Sequence, residues 1–228
     1  MAKNKSILST YRESIAEADC FLIDMNGTIR DELPAVYRSI VDVFLSFGRK
    51  PPTLADYRSF EGSHYWDHYL KHGFQQSERA DVDRLFRQFF DSRYAHMVSA
   101  FPDAVPTITE LKARKKVVGI VSNIPRSRLD MHMHEYGLDR IVDLSVSAED
   151  VDEMKPSPKP LEYAFQTLGV PPEKGCYTGD KTWDVSVARA TKTTSIAISR
   201  RGSYHTRDML EKANPDVLIN RLAGLLYI

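Results

Sequence analysis

The chain has 228 residues, 42% hydrophobic and 27% charged, which is the make-up of a soluble globular protein long enough for a substantial core. Its 31 Lys and Arg balance 31 Asp and Glu, so bulk charge does not drive binding to nucleic acid or another polyanion. Two cysteines, Cys20 and Cys176, exclude a disulfide framework and an all-cysteine zinc site, and no apolar run reaches the ~20 residues of a membrane span.

Taken in chain order, Met1–Ser9 lacks the apolar region of a signal peptide, so the cytoplasm is the expected location. Met1 to Asp19 is a polar lead-in with a helix predicted over Tyr11–Ala18. Cys20-Phe21-Leu22-Ile23 is a short apolar run stopped by Asp24-Met25-Asn26-Gly27-Thr28, the pattern of a buried parallel strand feeding a loop. From Ala35 to Ser99 the pattern is helical, with helices predicted at Val36–Phe47, His64–His72 and Ala80–Met97. That stretch of about 65 residues is too long for a simple crossover and reads as a helical insertion.

Phe101-Pro102-Asp103-Ala104-Val105 marks the return, followed by a helix over Val105–Lys115. Strands are predicted at Val117–Val121, Ile141–Ser147, Gly175–Thr178, Thr194–Ile198 and Val217–Ile219. Helices at Arg126–Tyr136, Pro160–Leu168 and Trp183–Ala190 fall between them. This alternation predicts an α/β fold, a doubly wound, Rossmann-like parallel sheet interrupted by the helical segment. The expected division is a core of residues 1–34 and 99–228 around an insertion of 35–98.

Open parallel sheets bind ligands outside the carboxyl ends of their strands. Here those ends carry Asp24, Ser122, Asp180 and Asp184, with Lys155 in the connection before a helix. Carboxylates suit a hard cation such as Mg²⁺, and a lysine and a hydroxyl suit phosphoryl oxygens. A free carboxylate can itself attack phosphorus. Singly, each residue has a plainer reading: Asp24 a loop acid, Ser122 a helix N-cap, Lys155 a solvated lysine, and Asp180 and Asp184 first-turn helix acids.

Four motifs in order resemble those of the haloacid dehalogenase-like superfamily of phosphotransfer enzymes. They are Asp24-Met25-Asn26-Gly27-Thr28, Val121-Ser122-Asn123, Lys155-Pro156-Ser157-Pro158 and Gly179-Asp180 followed by Asp184. The resemblance covers about residues 20–200, and the insertion is similar to the helical cap of the phosphoglycolate phosphatase and β-phosphoglucomutase subgroup. It implies that Asp24 is the nucleophile, forming an aspartyl-phosphate. Ser122 binds the transferring phosphoryl group, and Lys155 holds nucleophile and phosphoryl charges together. Mg²⁺ is held by Asp24, Asp180 and the backbone carbonyl of Asn26, with Asp184 ligating directly or through water. Gly27, Thr28 and Asn123 are assigned to the substrate. So are Arg58 and His64, from a segment read as a specificity loop between cap helices.

Asn26 departs from the family pattern, which has an Asp there to protonate the leaving group and then activate water. An amide does neither. The expected function is Mg²⁺-dependent hydrolysis of a small phosphorylated metabolite, with turnover impaired by Asn26. Three accounts of Asn26 stand side by side: an Asp→Asn replacement in an ordinary phosphatase, a natural member with another reaction or slow turnover, and a catalytically inactive binding or regulatory relative. Carbon–halogen hydrolysis ranks lower because the acidic pair favours a metal. Phosphonate hydrolysis ranks lower because neither cap lysine, Lys50 nor Lys71, lies in an apolar run. The expected partner is a small metabolite, not nucleic acid or membrane, and the chain is read as a monomer or homodimer. His132 and His134 are read as surface histidines, Arg200-Arg201 as a solvated loop, and Phe86, Phe89, Phe90 and Tyr94 as cap core.

Overall fold

The computed structural model describes residues 17–62 and 65–227. The helix predicted over Tyr11–Ala18 and the predicted site residue His64 lie outside them, except for Glu17, which lies in a turn, and Ala18, which is in neither helix nor strand.

The apolar runs become strands as their patterns predict. They are β1 (Cys20–Ile23), β4 (Val117–Val121), β5 (Leu144–Val146), β6 (Gly175–Gly179), β7 (Thr194–Ile198) and β8 (Val217–Ile219). Among the described residues these form one parallel sheet in the order β5-β4-β1-β6-β7-β8. β1 is central, paired on one side with β4 (Ile23 opposite Ile120) and on the other with β6 (Ile23 opposite Thr178). The strand predicted at Ile141–Ser147 is shorter: Asp143 still donates its N–H to the Val118 carbonyl at 2.8 Å, but the Val118 N–H goes to the Asp143 carboxylate at 2.8 Å rather than to a backbone carbonyl.

Alternation along β1 divides the core. Phe21 and Ile23 join one cluster with Val118, Ile120 and Ile196, against α5 (Ala104–Ala113) and α6 (Arg126–Glu135). Cys20 and Leu22 face the opposite cluster, with Tyr177, against α7 (Lys159–Leu168) and α8 (Thr182–Ala190). With helices on both faces, every residue of β1 is buried, which explains its unbroken apolar run. Cys20 and Cys176 are both free and buried, and burial pushes the Cys20 thiol up to about 12.

The inserted segment is helical, with α1 (Leu33–Ser46), α2 (Leu54–Arg58), α3 (Tyr65–Lys71) and α4 (Arg79–Phe89). It has its own core of Ile40, Val43, Phe44, Trp66, Tyr69 and Phe74, with Val82 and Phe89. The helix predicted over Ala80–Met97 does not run through. α4 ends at Phe89, a π turn covers Phe90–Tyr94, and a 3₁₀ turn follows at Ala95–Met97. Only Phe89 of the predicted aromatic cluster is fully buried; Phe86, Phe90 and Tyr94 are half-buried.

A two-stranded antiparallel ribbon joins the insertion to the sheet, β2 (Arg30–Asp31) against β3 (Ser99–Ala100). α9 (Arg207–Lys212), started by the Thr206 hydroxyl accepting from Met209 N–H, lies between β7 and β8. No helix among the described residues is long and apolar enough to cross a membrane.

Candidate active site

The topology gathers the four motifs. Asp24 leaves the end of β1, and its N–H donates to the Thr178 carbonyl of β6 at 2.9 Å. Ser122 follows β4, its N–H on the Val146 carbonyl at 2.9 Å. Asp180 follows β6, and Asp184 stands in the first turn of α8. Ser122 does not cap α6, whose N-cap position is Pro125.

Lys155, which the resemblance assigns to holding nucleophile and phosphoryl charges together, is 3% exposed rather than a solvated surface lysine. Its Nζ donates to Asp24 Oδ1 at 2.8 Å, Asp184 Oδ1 at 3.1 Å and the Val121 carbonyl at 3.3 Å, and also meets the Tyr177 hydroxyl. Asn123 fixes the lysine's backbone from both sides. Its Nδ2 donates to the Lys155 carbonyl at 2.7 Å, and its Oδ1 accepts the Lys155 N–H at 3.0 Å. The amide assigned to substrate is thus occupied in placing Lys155. Burial disfavours the lysine's charge, but Asp184 and Asp24 together hold its pKa above the ordinary lysine value.

Asp184 is fully engaged. Oδ1 accepts from Lys155 and, at 3.0 Å, from the Tyr177 hydroxyl, and Oδ2 accepts the Lys181 N–H at 3.0 Å. Asp180 is not. One oxygen meets the Tyr204 N–H, while Oδ1 is buried with no hydrogen-bond partner among the described residues. Burial pushes Asp180 up to about 8, and Asp24 and Asp184 add repulsion. Burial likewise raises Asp24, with Lys155 opposing and Asp184 reinforcing the rise.

Asp24, Asp180 and Asp184 each present an oxygen within 4.8 Å of the others. Three buried carboxylates crowd around the one buried ammonium, with Lys181 adding a further positive charge nearby, and the unpartnered Asp180 oxygen is a donor that a cation could use. This all-oxygen donor set fits a hard divalent cation.

Gly27 has φ +81°, and a Cβ there would collide with the Asp180 carboxylate, so glycine is required for both reasons. Thr28 is wholly buried, with Oγ1 lacking a partner among the described residues. Asn26 lines a cleft of about 160 Å³ between core and insertion, with Arg30, Glu32 and Arg128 from the core and Phe86 and Phe90 from the insertion. Its Oδ1 makes no hydrogen bond among the described residues.

Arg58 is not brought to that cleft. Its guanidinium donates to the His205 carbonyl at 3.1 Å, tying the insertion to the core loop after β7.

Arg30, Glu32, Arg128, Tyr177 and Tyr204 were not singled out by sequence. Arg30 and Glu32 are buried and ion-paired, and Tyr204 donates to Glu32 at 2.6 Å. A charged run directly after the first motif, Arg30-Asp31-Glu32, was the available signal. Two other expectations are corrected. Arg200 is not solvated: it pairs with Asp103 at 2.9 Å, reaches the Thr28 carbonyl and lies 3.5 Å over the Phe101 ring. His132 is buried, its ring stacked on Tyr136, whereas His134 is exposed as expected.

Comparison with known proteins gives relatives in sequence and in fold. The chain is 27% identical over 209 residues to pyrophosphatase PpaX of Bacillus cereus, covering 91% of this chain and 94% of that one. A haloacid dehalogenase-like family protein of Streptococcus pneumoniae has the same fold, with TM-score 0.79 and 17% identity over 93% of this chain and 98% of that one. A predicted phosphoglycolate phosphatase of Haemophilus somnus gives TM-score 0.76 and 18% identity over 92% and 97%. CbbY of Rhodobacter sphaeroides, solved with phosphate, gives 0.71 and 21% over 91% and 96%. The family profile of haloacid dehalogenase-like hydrolases matches residues 21–198, spanning every strand-end residue described above, and the chain belongs to that family.

Proposed function

We propose that the chain is a phosphohydrolase that takes the phosphoryl group of a small metabolite onto Asp24. The observation that carries this reading is the buried Lys155 ammonium bridging Asp24 and Asp184, beside the free oxygen of Asp180. A nucleophilic carboxylate needs one oxygen fixed and its charge held near the phosphoryl group, and Lys155 does both.

Asp24 and Asp180, with Asp184 and the Asn26 carbonyl, would hold Mg²⁺. When bound, the ion neutralises phosphoryl oxygens as the two anions approach. Asp24 attacks phosphorus and the leaving oxygen takes the electron pair of the broken bond. Lys155 and the Ser122 hydroxyl stabilise the charge on the transferring group. Hydrolysis of the aspartyl-phosphate by water then restores Asp24. Asn26 lines the cleft at the position where the family pattern has an acid serving both halves, and its amide transfers no proton.

The test is phosphate release with Mg²⁺ over a panel of phosphorylated metabolites, comparing the chain with Asn26→Asp. A gain of ~10² to 10⁴-fold in the variant is expected. Inertness of both proteins, with no phosphoryl label on Asp24, refutes the reading.

A further inference from the structure

Asn26, two residues after Asp24 in the chain, lines the cleft between core and insertion, so the cleft borders the loop that carries Asp24. At about 160 Å³ it is smaller than the ~300–1,000 Å³ of common ligand pockets, so it suits a group of only a few heavy atoms. Its walls carry three guanidinium groups, Arg30, Arg87 and Arg128, against two carboxylates, Glu32 and Asp91. Glu32 is committed to Arg30 and Tyr204. Arg30 still has a buried Nε without a partner among the described residues. Arg87 and Arg128 are exposed and form none of the ion pairs found among the described residues. The cleft thus offers cationic donors and, at residue 26, no proton.

Those two properties select a leaving group. An alkyl phosphate ester must expel an alkoxide, comparable in basicity to hydroxide (water ~15.7), and needs an acid. A carboxylate or phosphate has a conjugate acid of pKa about 4 to 6 and leaves unprotonated. It needs only positive charge to receive it.

We propose that the chain acts on acyl phosphates or phosphoanhydrides with a compact leaving group, and that Arg30, Arg87 and Arg128 receive the departing anion. This rests on Asp24 being the nucleophile. An Asp24 oxygen bonds to phosphorus and the bond from phosphorus to the leaving oxygen breaks. The electron pair stays on the departing carboxylate or phosphate, and no proton moves. Water then attacks the aspartyl-phosphate, giving inorganic phosphate and the Asp24 carboxylate, with the surplus proton released to solvent. That second step has no base at residue 26. The first half-reaction is therefore fast and the second slow, and turnover begins with a burst.

The experiment is rapid quench with Mg²⁺ and three labelled probes: acetyl phosphate, pyrophosphate and glycerol 3-phosphate. Label on Asp24 and the burst of leaving group are both read. With acetyl phosphate or pyrophosphate, labelling approaching one equivalent is expected, at least ~10²-fold faster than with glycerol 3-phosphate. Which of the two bursts separates acyl phosphates from phosphoanhydrides. Asn26→Asp should narrow the gap by accelerating the glycerol ester. Arg87→Gln and Arg128→Gln, at exposed positions, should each slow the burst several-fold with the acyl and anhydride probes. Equal labelling rates for all three probes, or a burst indifferent to both arginine substitutions, overturns the proposal and leaves Asp24 chemistry standing. No label from any probe in either protein overturns both.

Discussion

The strand-end cluster and the cleft wall meet at Asn26 but are built on opposite plans. At the strand ends the groups around Lys155 are committed, while Asp180 Oδ1 and Thr28 Oγ1 have no partner among the described residues. Lys155 has four partners, Asp184 uses both oxygens, and Asn123 uses both ends of its amide. On the cleft wall Arg87 and Arg128 are exposed, and Phe86 and Phe90 are half-buried. On the proposed function, the difference teaches that the reacting groups around Lys155 are held before substrate arrives, while Arg87 and Arg128 are free to adjust to it. Preorganised charge is effective because nothing must reorganise when the reaction occurs.

The comparison breaks most decisively at Lys155. Lys155→Met leaves the buried Asp24 and Asp184 without their ammonium. Loss of about 3–5 kcal/mol by urea unfolding is expected, together with loss of phosphoryl label on Asp24. If the variant labels normally, the lysine only supports the fold. Gly27→Ala comes next, because a left-handed residue gains a Cβ directed at Asp180. Weaker Mg²⁺ binding by calorimetry is expected, with about 1–3 kcal/mol of lost stability.

Tyr177→Phe sharpens the comparison more gently. It deletes one hydroxyl shared by Lys155 and Asp184, at a cost of about 1–2 kcal/mol in unfolding and a several-fold slower labelling of Asp24. The smallest effect lies in the cap. His68 is buried among Phe44, Tyr57 and Phe60 with neither ring nitrogen partnered among the described residues, and burial pulls its pKa down to about 4. The folded pKa lies below the unfolded value of ~6.5, so the unfolded chain binds the extra proton between those values. Stability contributed by neutral His68 is therefore full above ~6.5 and lost as pH falls toward 4. His68→Phe should reduce the drop in urea midpoint between pH 7 and pH 5.

The strand-end residues were legible because each follows an apolar run, and buried parallel strands advertise themselves by such runs. Asp24, Ser122 and Asp180 could be placed from that pattern, and Lys155 and Asp184 from motif spacing. The remainder depends on contacts between distant segments. Arg200 was read as solvated because nothing near it in sequence shows that Asp103, Phe101 and the Thr28 carbonyl will surround it. Arg58 reads as a substrate contact because its segment suits a loop over the site, and its hydrogen bond to the carbonyl of residue 205, 147 positions away, is not visible in that segment. The two-residue strands of the ribbon are too short for periodicity to reveal. The break at Phe89 was hidden because α4, the π turn and the 3₁₀ turn share a helical composition.

That ribbon has a consequence for how such a molecule can change. Arg30 lies opposite Ala100, so the chain leaves the sheet and re-enters it at adjacent points. What is strung between them carries its own hydrophobic centre, from Ile40 to Phe89. Insertions with neighbouring ends and an independent core can be exchanged without redrawing the host's topology. The 65 residues from Leu33 to Met97 are thus a replaceable cassette. Grafting a relative's insertion onto this ribbon would exchange Phe86, Arg87, Phe90 and Asp91 in one step, and leave Asp24, Lys155 and Asp180 where the sheet holds them.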